Sequence, residues 1–102
     1  MSINKLLKPN KIVIIGASEK EGFGGDTCRN AIEIMEEGRY YFVNPKRDEV
    51  FGRKCYHSVS DLPEPIDLAV ICTPMKTVIG LLEEASKKGA RGAVVFASGY
   101  GE

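Results

Sequence analysis

Four short apolar runs, at residues 12–15, 40–43, 68–72 and 93–97, recur at nearly even intervals along the chain. Each is β-branched or aromatic in character, and none alternates with polar residues. A strand with one face in water alternates apolar with polar side chains, whereas an unbroken apolar run of this length is what a strand buried on both faces requires. The runs therefore predict a parallel sheet with helices on its faces.

The intervals between runs carry those helices. Cys28, Ala31, Ile32 and Met35 fall at i, i+3, i+4 and i+7, one stripe of a helix that stops near Gly38. Met75, Val78, Ile79, Leu82 and Ala85 make a second stripe. Thr73 is placed to cap this second helix and Pro74 to occupy its first position. Lys87 and Lys88 fall in its last turn, with Gly89 just beyond. The middle of the chain is less regular: 44–54 is polar and reads as loop, 54–57 as a short edge strand, and 60–65 as a helical turn ended by Pro63 and Pro65. Strand-helix-strand steps with right-handed crossovers then give an α/β fold, a doubly wound, mainly parallel five-stranded sheet.

The chain has 102 residues, a length suited to one domain. Residues 1–102 contain no linker or low-complexity tract. Fourteen basic residues cancel fourteen acidic ones, a poor basis for sequence-independent grip on nucleic acid or an anionic membrane. The apolar runs are far short of the ~20 residues of a membrane helix, and no secretory signal is evident at the start, so the expected location is cytoplasmic. Cys28, Cys55 and Cys72 are odd in number and lack CxxC spacing, which points to reduced, mostly buried thiols rather than a disulfide or zinc framework. The last run leads into Ser98-Gly99-Tyr100-Gly101-Glu102, a turn that ought to open another helix. With two good helices and a weak third at 3–7, part of one sheet face should be bare, as in a fragment incomplete at its C-terminal edge or a chain completed by a partner.

Ligands of open parallel sheets bind at the carboxyl ends of the strands, where strand order reverses. The first strand and the 68–72 strand should flank that crevice, and four loops would converge there, at 16–25, 44–47, 73–76 and 97–101. The first is rich in glycine: Gly16, Gly22, Gly24 and Gly25 lie between a buried strand and a helix. Its N–H groups can face an anion at the positive helix end, and glycine allows a phosphate close approach. The plainer alternative is a tight strand-to-helix turn. A dinucleotide fingerprint fails, because Ser18 and Glu21 stand where GxGxxG needs glycine. The acidic residue that would hold the ribose of NAD is also missing. The second strand ends instead in Asn44-Pro45-Lys46-Arg47, whose two cations suit a phosphorylated ribose, as in NADP or coenzyme A (CoA), unless Asp48 and Glu49 simply balance them. No P-loop occurs. His57 has no second histidine or metal-spaced carboxylates beside it, and no nucleophile arrangement can be assembled around one histidine. Cys28 lies in the first helical turn, where a dipole lowers a thiol pKa, but its stripe position favours core packing. No catalytic or metal-ligating residue is expected.

The segments KIVIIGASEKEGFGG, YFVNPKRDEVFGRKCYHSVSDLPEPIDLAVICTP and KGARGAVVFASGYGE together resemble the N-terminal CoA-binding domain of NDP-forming acyl-CoA synthetases. These include ADP-forming acetate–CoA ligase and, more distantly, the succinyl-CoA synthetase α subunit. The resemblance runs from about Leu7 to Glu102. It implies a Rossmann-like domain that binds CoA. Ser18, Glu19, Lys20 and Glu21, framed by Gly16 and Gly22, would meet the CoA phosphates. Lys46 or Arg47, on the turn begun by Asn44 and Pro45, would meet the 3′-phosphate or pyrophosphate. Thr73 and Pro74 would line the nucleotide or pantetheine path, and Ala97, Ser98 and Gly99 would approach from the other side. Glu19 stands where some relatives carry glycine. In the family, acid and CoA are joined at the expense of ATP through an acyl phosphate and a phosphohistidine. That histidine lies on a second Rossmann-like domain and the nucleotide in an ATP-grasp module, and His57 does not match the phosphohistidine motif. The chain would then be the CoA-binding part of such a ligase. An NADP-binding oxidoreductase fragment and a free-standing CoA-binding regulatory module are the other readings, and assembly as a homo-oligomer stays open.

Overall fold

The computed structural model describes residues 11–20 and 22–96, the side chain of Phe23 excepted. The helix expected at 3–7 and the turn expected at 98–102 lie outside the described residues. In chain order the elements are β1 (Ile12–Ile15), α1 (Phe23–Ile34), β2 (Tyr40–Val43), β3 (Glu49–Val50), β4 (Arg53–Tyr56), β5 (Leu68–Ile71), α2 (Val78–Lys87) and β6 (Gly92–Val95). Single 3-10 turns at Val59–Asp61 and Met75–Thr77 precede β5 and α2.

The strands form one sheet in the order β3-β4-β2-β1-β5-β6. Every pairing is parallel except β3 with β4. Alternate residues of the central strands bury to opposite sides. Val13, Ile15, Val43, Ala69 and Ile71 pack with Val59, Leu62 and Ile66 and with Val78 and Ala85 of α2. Ile12, Ile14, Phe42 and Val70 pack with Cys28 and Ala31 of α1 and with Val50 and Cys55 of the β3–β4 hairpin. Covering both faces explains why these strands read as continuous apolar runs, and the architecture is α/β and Rossmann-like.

The sheet has six described strands rather than the expected five. The polar 44–54 stretch hides a hairpin: β3 is two residues long, and the turn at Phe51 and Gly52 has φ of 51° and 75°. Two positive φ angles are what the twist of a two-residue hairpin asks for. Consequently β3, not the 54–57 segment, forms that sheet edge.

The second helix also differs. Thr73 does not cap it. Its hydroxyl pairs with that of Thr77 at 2.7 Å, and the chain passes through the 3-10 turn before α2 begins. The contact face is Val78, Leu81 and Ala85, while Met75, Ile79 and Leu82 of the expected stripe remain exposed.

Lys11 ties the amino ends of the central strands together. Its N–H donates to the Asp67 carboxylate at 3.0 Å, and its ammonium donates to Gly38 O and to Glu64, each at 2.8 Å. The Lys11 hydrogen bond holds the Glu64 carboxyl below the usual range, helped by the Tyr41 hydroxyl that donates to the same carboxylate. Burial, followed by that contact, pushes Tyr41 up to about 12.

Candidate functional site

Strand order reverses between β1 and β5, and the chain leaves their carboxyl ends in opposite directions. A cleft of about 530 Å³ opens there. Gly16 lies on its floor at the end of β1, Asn44, Pro45 and Lys46 stand at the end of β2, and Thr73 and Pro74 follow β5. Six of the expected site residues therefore share one cavity.

The local architecture explains the glycines. Gly16 has φ of 89°, and a Cβ there would lie 2.3 Å from the Cys72 carbonyl oxygen. A Cβ on Gly24 would sit 2.4 Å from Gly16 O, and one on Gly25 1.9 Å from Lys20 O. These three glycines let β1, β5, the loop and the start of α1 pack backbone on backbone. Gly22 is different: its φ is 126°, with nothing within 4 Å of the Cβ position. It precedes α1 as its N-cap and, having no side chain, supplies no cap to the N–H groups of the first turn.

The basic turn is equally defined. The Asn44 amide donates to Ala17 O at 2.9 Å, while its Oδ1 accepts the Lys46 N–H at 2.8 Å. The first loop and the turn after β2 are thus joined through a single carboxamide. Asp48 does not balance the cations here. Its carboxylate meets His57 Nε2 at 2.7 Å, and among the described residues no ion pair engages Lys46 or Arg47.

Other expected site residues lie beside the cleft rather than on its wall. Ser18 Oγ accepts the Lys20 N–H at 2.9 Å, closing a local turn. The Glu19 carboxylate accepts the Phe51 N–H at 2.7 Å, so it is engaged by the hairpin tip. Glu21, Ala97, Ser98 and Gly99 lie outside the described residues. Sequence reasoning missed Ser58, Cys72, Thr77, Leu81 and Glu84, all of which line the cavity. A signal existed: Thr73, Thr77, Leu81 and Glu84 follow helical spacing, a second stripe beside the apolar one.

The thiols are not activated. Burial pushes Cys28 up to about 11, outweighing the lowering by a backbone hydrogen bond with Ser18. Burial also raises Cys72, against a weaker lowering by its contact with Thr27. Among the described residues there is no group of three side chains suited to a metal ion. Nor is any described helix long and apolar enough to cross a membrane.

Residues 10–102 match the family described as the CoA binding domain. The chain belongs to that family. Membership decides between the phosphorylated adenosine ligands in favour of CoA. The ADP-forming acetate–CoA ligase of Methanocaldococcus jannaschii is 46% identical over 94 residues, covering 92% of this chain and 13% of that protein. The α subunit of ADP-forming acetate–CoA ligase I of Pyrococcus furiosus is 41% identical over 107 residues, covering 100% of this chain and 23% of the subunit. Among solved structures, the dinucleotide-forming acetyl-coenzyme A synthetase 1 of Ca. Korarchaeum cryptofilum, in complex with phosphate and ADP, superposes with a TM-score of 0.84 at 37% identity. It covers 97% of this chain, which accounts for 22% of the synthetase chain. The CoA-binding domain thus spans less than a quarter of the length of the curated relatives it matches.

Proposed function

We propose that the cleft between the ends of β1, β2 and β5 is where this domain holds CoA. The observation that carries the reading is Lys46 on the cleft wall, with Arg47 next to it in the turn after β2, two cations that no ion pair engages among the described residues, near the start of α1, where Gly22 supplies no side-chain cap. Phosphates lie against the loop from Ser18 to Gly22, with backbone N–H groups and Lys20 as donors. Lys46 or Arg47 meets the 3′-phosphate or pyrophosphate, and Thr73 and Pro74 line the path of the remainder. The Glu19 side chain is withdrawn from this set by its bond to Phe51.

The chain acts as one domain, residues 1–102, of an ADP-forming acid–CoA ligase in the cytoplasm. Turnover depends on parts supplied by the rest of that enzyme, a second Rossmann-like domain carrying the phosphohistidine and an ATP-grasp module. The apolar surface of β6 and α2 supports a larger assembly: Val94, Val95, Phe96, Ile79 and Leu82 are all exposed.

Isothermal titration tests the site. CoA binds and NADP does not. Dephospho-CoA binds about tenfold more weakly, since one charge-assisted phosphate contact contributes about 1.5 kcal/mol or more. A Lys46→Ala, Arg47→Ala double variant loses affinity and salt sensitivity together. Equal affinity for CoA and dephospho-CoA, or an unchanged double variant, would falsify the phosphate role.

A further inference from the structure

A carboxylate on a loop that receives phosphate is a liability, because like charges repel. Glu19 occupies that position, and the described structure turns it aside. Its Oε2 accepts the backbone N–H of Phe51 at 2.7 Å, across 32 residues of sequence. The acceptor is matched to an otherwise idle donor. In a two-residue hairpin the first turn residue lies outside the β3–β4 ladder, which here pairs Val50 with Arg53, so its N–H has no strand partner.

The same tip grips the following helix. The Arg29 guanidinium lies over the Phe51 ring, 5.7 Å from its centroid, and Arg29 also pairs with Asp26 one turn earlier on α1. Phe51 holds φ of 51°, a left-handed conformation that a bulky residue adopts only when its surroundings over-determine it. On the other side of the loop, the Asn44 amide holds Ala17 O. The segment from Ala17 to Glu19 is therefore fastened at both ends by elements outside itself.

We infer that Glu19 is a positioning residue for CoA: by accepting the Phe51 N–H it locks the glycine loop onto the β3–β4 hairpin and removes its own charge from the phosphate path. This rests on the proposed CoA site. It separates the acceptor function of the side chain from its charge. Glutamine keeps the acceptor and discards the charge, whereas alanine discards both.

The test measures CoA affinity by titration and Phe51 amide hydrogen exchange in the ligand-free protein, for the parent chain, Glu19→Gln and Glu19→Ala. Glu19→Ala should weaken CoA binding about tenfold, the equivalent of one hydrogen bond to a charged group, and speed Phe51 exchange. Glu19→Gln should protect Phe51 and bind CoA within about twofold of the parent or more tightly, the expected sign when a repelling charge is removed. Equal Phe51 exchange in parent and Glu19→Ala overturns the lock. Equal CoA loss in the glutamine and alanine variants overturns the positioning role in favour of direct ligation by the charge. Failure of the parent chain to bind CoA, with Phe51 protected, defeats the CoA reading and not the lock.

Discussion

Strands β1 and β6 are each four residues of mostly small or β-branched apolar type, each paired in parallel with β5. All four residues of β1 are buried, and all four of β6 are exposed. Part of the difference is position, since β1 lies between β2 and β5 while β6 pairs only with β5 among the described strands, and part is what stands above and below. Val13 and Ile15 share a buried cluster with α2 and the turn before β5, and Ile12 and Ile14 share one with α1, whereas no residue of β6 belongs to either cluster. Apolar composition selects a strand; neighbouring layers decide whether its apolar surface stabilises the fold or waits for a partner.

The sharpest way to break this comparison is to truncate equivalent positions. Ile14→Ala, at a site with no exposure, should destabilise by about 3–5 kcal/mol in denaturant titration through lost burial and a cavity. Val94→Ala should change stability by less than about 1 kcal/mol. A large loss at Val94 would mean that β6 is covered in solution. Glycines give a second contrast. Gly16→Ala should cost about 3 kcal/mol and close the cleft, since the new methyl meets the Cys72 carbonyl at an unfavourable φ. Gly80→Ala, in the first turn of α2 with open space around it, should stabilise by about 0.5–1 kcal/mol. Melting curves of the two variants should move in opposite directions.

A pH titration reads Cys28, Tyr41 and Glu64 in different ranges. The folded pKa of Cys28 is raised, so the thiol's contribution is complete below its unfolded value near 9 and is lost as pH climbs toward about 11. That alkaline loss should amount to about 2–3 kcal/mol, and Cys28→Ala should flatten it. Tyr41 adds a later loss, between about 10 and about 12. Glu64 acts at the other end of the scale: its folded pKa is depressed, so its contribution disappears as pH falls through the acid range.

Much of this was legible in the residues. The apolar runs placed β1 and β2 at their observed limits and β5 and β6 within a residue or two, because burial on two faces leaves an unambiguous mark. The switch point, and with it the cleft, follows from that strand order. The hairpin was not legible: Glu49 and Val50 are too few to show a period, and Phe51 is an unusual residue at positive φ. The start of α2 misled because Thr73-Pro74 imitates a cap, while the hydroxyl is taken by Thr77. Three of the four glycines serve backbone packing as well as any ligand, and residue type alone cannot separate those uses.

The carboxamide of Asn44 has a thermodynamic corollary. Because it fastens Ala17 and the Lys46 turn to one side chain, the two loops surrender their conformational freedom together when the chain folds, not when a ligand arrives. Association at this mouth should then carry little ordering entropy, with a heat-capacity change set by the ligand's own desolvation rather than by folding of the protein around it.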